Sequence, residues 1–140
     1  MRSDDSVASM KQALFNQDLG LLVFRIIIGF TMAFAHGIGK MPPPDMLVEG
    51  VGAMGFPMPI VFAWSAALSE FLGGILIGLG LWTRLASFLL GFTMAVAFFI
   101  VHGADPFAKK EMAFLYLAAC ILLVFQGAGK YSLDRLVRKV

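Results

Sequence analysis

The sequence predicts an all-α fold, an integral membrane four-helix bundle with both termini in the cytoplasm, and three observations carry that prediction. Of 140 residues, 59% are hydrophobic and 14% charged, with a mean hydropathy of +0.85; soluble domains hold ~45–50% apolar and ~25% charged residues. Four apolar stretches of roughly 16–24 residues stand between polar punctuation, each long enough to cross a ~30 Å hydrocarbon core as a helix. The cations divide unevenly: Arg2, Lys11, Arg84, Lys130, Arg135, Arg138 and Lys139 fall on one side of the spans, and Lys40, Lys109 and Lys110 on the other. The richer side is the cytoplasmic one. No period-2 alternation appears, which argues against a β-barrel.

The same figures remove several function classes. Fifteen Gly without a period exclude a collagen-like repeat, and fourteen Phe argue against disorder. A single Cys, Cys120, with no CxxC excludes thiol–disulfide chemistry within the chain. A net charge of +2 is too small for a nucleic-acid footprint. The lipid bilayer is the expected partner.

Taken in order, residues 1–18 form a cytoplasmic segment in which Val7, Met10, Leu14 and Phe15 share one side of a short amphipathic surface helix. Residues 19–134 form the membrane domain, and residues 135–140 a basic cytoplasmic tail. The first span, Leu19–His36, stops before Pro42-Pro43-Pro44. Ala33-Phe34-Ala35 gives it the look of a signal peptide, but Asp4, Asp5 and Asp18 make a poor n-region, so it is read as a retained helix. The loop Met41–Met58 faces outward. Its apolar run Met46–Met54 reads as a short helix over the outer mouth, either a lid or an ordinary interfacial connector, ended by Gly55-Phe56-Pro57-Met58-Pro59. The second span, Pro59–Trp82, is bracketed by Trp64 and Trp82, ~27 Å apart along a helix and suited to two interfacial belts. Its ladder Ala66, Glu70, Gly74, Gly78 is a small-residue stripe around one acid. The third span, Leu85–His102, meets the fourth, Glu111–Gln126, through the turn Gly103–Lys110. Gly29-Phe30-Thr31-Met32-Ala33 returns as Gly91-Phe92-Thr93-Met94-Ala95, each copy followed by a His-Gly pair, as a parallel repeat or chance would give.

Charge inside a span is costly, so the few such residues are the functional candidates. Glu70, mid-span on its stripe, points into the bundle as a proton-handling group or as half of a packing pair with Arg25. Arg25 either pairs with Glu70 or snorkels to the cytoplasmic surface, and the pair is the expectation carried forward. His36 and His102 close the odd-numbered spans at the outer end, with Glu111 at the same level. Arg25 and His36 fall about 20° apart around the first helix, so one polar column is expected inside the bundle. Two His and a carboxylate suit a quinone head group, a proton relay or a divalent ion. Their spacing matches no tight metal motif, so no metal is assigned, and the two His are the sole sign of haem. Glu70, His36 and His102 are therefore the candidate catalytic residues. Arg25, Glu111 and Lys40 are the candidate cofactor-binding residues, and a quinone is the cofactor that suits them. Cys120 reads as packing, with Met32 and Met94 as soft neighbours for a ligand.

In their order these residues resemble the DoxX family. The resemblance rests on Arg25, His36-Gly37-Ile38-Gly39-Lys40, Gly55-Phe56-Pro57, Glu70-Phe71-Leu72-Gly73-Gly74 and Gly80-Leu81-Trp82-Thr83-Arg84. It continues through His102, Glu111 and Gly127-Ala128-Gly129-Lys130-Tyr131-Ser132-Leu133-Asp134, so that it runs from about Leu19 to Asp134. It implies a multi-pass inner-membrane protein linked to redox processes; related proteins include a subunit of thiosulfate:quinone oxidoreductase and a membrane partner of oxidative-stress enzymes. Two function classes result. One is a redox-associated subunit that handles a quinone or another small hydrophobic molecule with a partner oxidoreductase, Glu70 and the two His managing protons while Arg25 holds Glu70 charged. The other is a non-enzymatic scaffold, binding or transporter-like module, in which Arg25 and Glu70 are structural. Small-residue faces also suit a homo-oligomer.

Overall fold

The computed structural model describes residues 16–137 together with Ser6, Val7, Ser9 and Met10. Among the described residues every regular element is a helix: α1 Gln17–Thr31, α2 Asp45–Ala53, α3 Pro59–Leu79, α4 Thr83–Val96, α5 Phe107–Gln126 and α6 Leu133–Val137. The described part of the N-terminal segment is helical and exposed at Val7 and Met10; Leu14 and Phe15, on which its amphipathic face depends, lie outside the described residues.

Three segments are long and apolar enough to cross a membrane: Gln17–Lys40, Pro59–Leu79 and Thr83–Val101. The fourth long helix, α5, begins with Lys109, Lys110 and Glu111 in its first turns, so its apolar part is the C-terminal portion. Each boundary has a local cause. Asn16 caps α1, its side chain accepting from the amides of Asp18 and Leu19. Pro59 opens α3, and Gly80, at φ 71°, closes it with bonds from Gly80 N to Ile77 O and from Leu81 N to Leu76 O. That early closure ends the second span at Leu79 rather than at Trp82.

Neighbouring helices pack in chain order, α1 on α3, α3 on α4 and α4 on α5. The α1–α3 contact is a glycine crossing. A Cβ on Gly29 would lie 2.5 Å from Gly74 O and Gly78 N, so the small-residue stripe of α3 is filled by the backbone of α1. The α4–α5 contact has the same plan, with Gly91 against Cys120 Cβ. Met32, Ile77, Leu90, Met94, Tyr116, Cys120 and Leu123 form the core between them. Large apolar side chains such as Ile27, Leu72, Leu85, Phe88, Phe92 and Phe125 are exposed on the outside, as in a bundle solvated by lipid.

Both copies of the five-residue string run into a π-helical turn, Met32–Gly37 after α1 and Ala97–Val101 after α4. Such turns widen a helix and re-aim the residues beyond them. They deliver Gly37 and Lys40 in one half of the chain and His102 in the other.

Candidate functional site

Gly37 makes the site possible. A Cβ there would stand 2.5 Å from Phe71 N, so the end of the first helix lies directly on α3 at Glu70 and Phe71. Three residues on, after a single 3-10 turn, Lys40 reaches the acid: its Nζ donates to Glu70 Oε2 at 2.6 Å and to Oε1 at 2.8 Å. The Glu70 side chain is 4% exposed and that of Lys40 38%, so the carboxylate is enclosed and the ammonium keeps a side open. The expected Arg25–Glu70 pair is therefore not formed. α1 and α3 are antiparallel, and the side chains of each lean toward its own N-terminus, which carries Arg25 and Glu70 to opposite ends.

Arg25 is fully buried and serves backbone. Its Nη1 donates to Ile77 O and Gly78 O at 3.2 and 3.3 Å, and its Nη2 to Tyr131 O at 2.6 Å. It thus caps the carbonyl end of α3, where a cation meets the helix dipole favourably, and ties it to the turn after α5. Gly80 lies against the guanidinium with no room for a side chain. Asp134 completes this clamp. Its carboxylate accepts from the amides of Trp82 and Thr83 at 2.7 and 3.0 Å, capping α4, while its own amide donates to Gly80 O. The string Gly127–Asp134, which had no role in the sequence, is thus a fastening. Instead of one polar column there are two polar centres.

A groove of about 620 Å³ opens between α3 and α4 on the Glu70 side. Leu47, Val51 and Met54 bring α2 over it, so the short outer helix covers the groove mouth. Leu72, Leu76, Leu85 and Leu89 line the half toward Trp82, and Lys40, Ser65, Ser69, Glu70, Thr93 and His102 are among its polar members. Ser69 Oγ and Thr93 Oγ1 meet at 2.8 Å across the two helices beside Glu70. His102 stands at the loop end, its Nδ1 2.9 Å from Asp105 Oδ2. That bond leaves Nε2 as the ring nitrogen free for a ligand, and it holds the Asp105 carboxyl below its ordinary range.

The remaining candidates lie elsewhere. The His36 ring packs edge-on against Tyr116 of α5, with centroids 6.0 Å apart. Glu111 lines a shallower opening of about 400 Å³ with Ile28, Met112, Leu115 and Tyr116, between α1 and α5. His36, His102 and Glu111 therefore do not share one pocket. Among the described residues no group of three or more His, Cys, Asp or Glu side chains is gathered closely enough to hold a metal ion. The partners that sequence reasoning did not assign are Lys40 for Glu70, Asp105 for His102, Asp134 for the helix ends, and the Ser69–Thr93 rung. Spacing signalled only Asp105, three residues after His102 in a turn.

Comparison with known proteins agrees with this architecture. The DoxX family model matches residues 20–103, which takes in the groove, Arg25, Lys40, Glu70 and His102. The chain is 38% identical over 122 residues to an uncharacterized protein of Haemophilus influenzae, covering 81% of this chain and 87% of that protein. It is 34% identical over 133 residues to the inner membrane protein YqjF of Escherichia coli, covering 88% and 95%. It is 31% identical over 123 residues to the "Putative oxidoreductase CatD" of Bacillus subtilis, covering 87% and 90%. No solved structure matches the chain. A four-helix chain with this order of residues is a multi-pass membrane protein, and it belongs to the DoxX family.

Proposed function

We propose that the protein is an inner-membrane binding subunit, with both termini cytoplasmic, that takes a quinone or another small hydrophobic molecule into the α3–α4 groove and works with a partner oxidoreductase. The observation that carries this reading is the Lys40–Glu70 pair in the wall of an otherwise apolar groove. A pocket that is mostly apolar, with a few convergent polar groups, is what orients a small amphiphile. Glu70, Lys40 and His102 are its working residues: Lys40 has an open N–H face for a carbonyl, and His102 at the rim exchanges protons with water on the loop side. His36 and Glu111 belong to the α1–α5 side, and Arg25 is assigned to the framework. The names of two relatives, an "Inner membrane protein" and a "Putative oxidoreductase", support the location and the redox association. Any thiol–disulfide step falls to the partner, since the chain has one thiol and no dithiol.

Native mass spectrometry of the purified protein titrated with decylubiquinone tests the reading. Saturable binding is expected, weakened about tenfold or more in Glu70→Gln, which loses the charge that fixes Lys40. Binding that does not saturate, or that is equal in the variant, would sink it. The competing reading of a non-enzymatic, transporter-like module draws on the similar plan of the two halves. It expects quinone-linked turnover of isolated membranes to be unchanged in Glu70→Gln.

A further inference from the structure

The two halves of the chain can be laid on each other. A shift of 62 residues carries Gly29 onto Gly91, and a shift of 46 carries Gly74, which Gly29 packs on, to Cys120, which Gly91 packs on. The second shift relates two of the openings of the bundle as well. Ala108, Glu111, Met112, Leu115 and Tyr116, which line the α1–α5 opening, fall on Phe62, Ser65, Ala66, Ser69 and Glu70, all of which line the α3–α4 groove. Where one side has Glu111, Met112 and Leu115, the other has Ser65, Ala66 and Ser69. At these three positions the side chains on α5 are larger, while Phe62 stands where α5 has Ala108, and the α1–α5 opening is about 400 Å³ against about 620 Å³. The α3–α4 groove has been kept clear by small residues at positions that its counterpart fills.

The groove has a long axis. Its lining runs from Leu85 along α4 and the π-helical turn after it to Val101 and His102, roughly 24 Å to Val101 at about 1.5 Å per residue. The polar rung of Ser69 and Thr93, with Glu70 and Lys40 beside it, stands about 12 Å above Leu85. Below the rung the lining is apolar: Leu72, Leu76, Leu85, Leu89 and Phe92, with Trp82 at the foot. Gly73 and Ala86 face each other on its floor, a Cβ on Gly73 lying 3.8 Å from Ala86 O. Leu72, Leu85, Leu89 and Phe92 are also about half exposed on the outer surface, so this lower half opens sideways to lipid.

We infer that the lower half of the groove is a binding channel for the single aliphatic or isoprenoid tail of an amphiphile, which enters sideways from the bilayer and sets its polar head at the Lys40–Glu70 and Ser69–Thr93 level. This rests on the proposed function and names its ligand class: a one-tailed molecule with a compact polar ring or head.

Dimethoxybenzoquinones with n-alkyl tails of increasing length, brominated at the tail end, test this in a Trp64→Phe background that leaves Trp82 as the one tryptophan. Bromine quenches indole fluorescence at contact. Referred to the free aqueous quinone, each methylene that leaves water raises affinity by up to about fourfold whether it enters lipid or the channel, so the channel's own share is the part that a plug removes; Trp82 quenching is expected to set in once the tail spans the lower half. Gly73→Leu, or Ala86→Leu from the opposite wall, fills the floor and is expected to flatten the dependence on tail length; either variant suffices if it elutes as a folded species. An equal gain per methylene with and without the plug overturns the channel while leaving quinone binding intact. Absence of saturable binding by every tail length in the unplugged protein overturns the channel and the proposed function together.

Discussion

Removing either partner of the Lys40–Glu70 pair should have unequal costs, and the inequality comes from their surroundings. Lys40→Ala leaves a carboxylate that is 4% exposed without its counter-ion. Breaking a buried pair in this way costs about 3–5 kcal/mol. The lost partner is 38% exposed, so water already screens part of the interaction. The expected loss is therefore nearer about 1–3 kcal/mol. Glu70→Gln leaves an ammonium that can turn to the solvent it already reaches, and the Gln carbonyl still accepts one bond; about 1 kcal/mol or less is expected. Lys40→Met with Glu70→Leu should recover most of the Lys40→Ala loss, because an apolar pair of similar volume carries no desolvation cost. The assay is SDS-induced unfolding from mixed micelles, read by far-ultraviolet circular dichroism, for both single variants and the double. Should Glu70→Gln cost as much as Lys40→Ala, the enclosure of Glu70 would not be the source of the energy, and the reasoning would be refuted.

Other outcomes rest on particular contacts. Gly29→Ala places a Cβ 2.5 Å from backbone atoms of Gly74 and Gly78, which cannot turn aside as a side chain can, so a loss of about 1–3 kcal/mol or more is expected by the same unfolding assay. Gly20→Ala, with nothing within 4 Å of its Cβ, should be neutral or gain up to about 1 kcal/mol from helix propensity. Asp134→Ala removes the acceptor for the Trp82 and Thr83 amides and should cost about 1–2 kcal/mol, while Asp134→Asn keeps one acceptor and should recover part of it. The Asp105 carboxyl is held low by its bond from His102. A depressed carboxyl stabilises the fold above its ordinary value near pH ~3.9 and loses that contribution as pH falls through its folded value. Asp105→Asn should therefore flatten the acid limb of the unfolding curve; an unchanged limb would count against the bond.

What the sequence disclosed depended on the range of the interaction. Three spans, the outer helix and the glycine stripe are local patterns of hydropathy and size, and they appear close to where those patterns put them, the first running on to Lys40 and the second stopping at Leu79. The string Gly29–Ala33 and its echo Gly91–Ala95 were readable as text, but their equivalence is physical, since both first glycines sit at the closest approach to the following helix. The Arg25–Glu70 pairing failed because axial depth alone does not fix a partner. Lean toward opposite N-termini, the close approach at Gly37 and a π-turn all had to be known before Lys40 could be placed on Glu70. Asp134 was illegible for a related reason: an acid that caps a helix 51 residues earlier leaves no spacing signal.

The two polar centres also divide the labour of the groove walls. Both walls belong to one hairpin, α3 and α4. At its closed end the hairpin is fixed by Arg25 on the last carbonyls of α3 and by Asp134 on the first amides of α4, and Trp82 lies at that same turn. Toward the loops the two walls meet at the Ser69–Thr93 hydroxyl rung. A hydroxyl pair contributes on the order of 1 kcal/mol, less than the several charge-assisted bonds of the clamp. Arg25 matters to the groove by fixing its closed end, which is a different task from the charge control that sequence reasoning gave it.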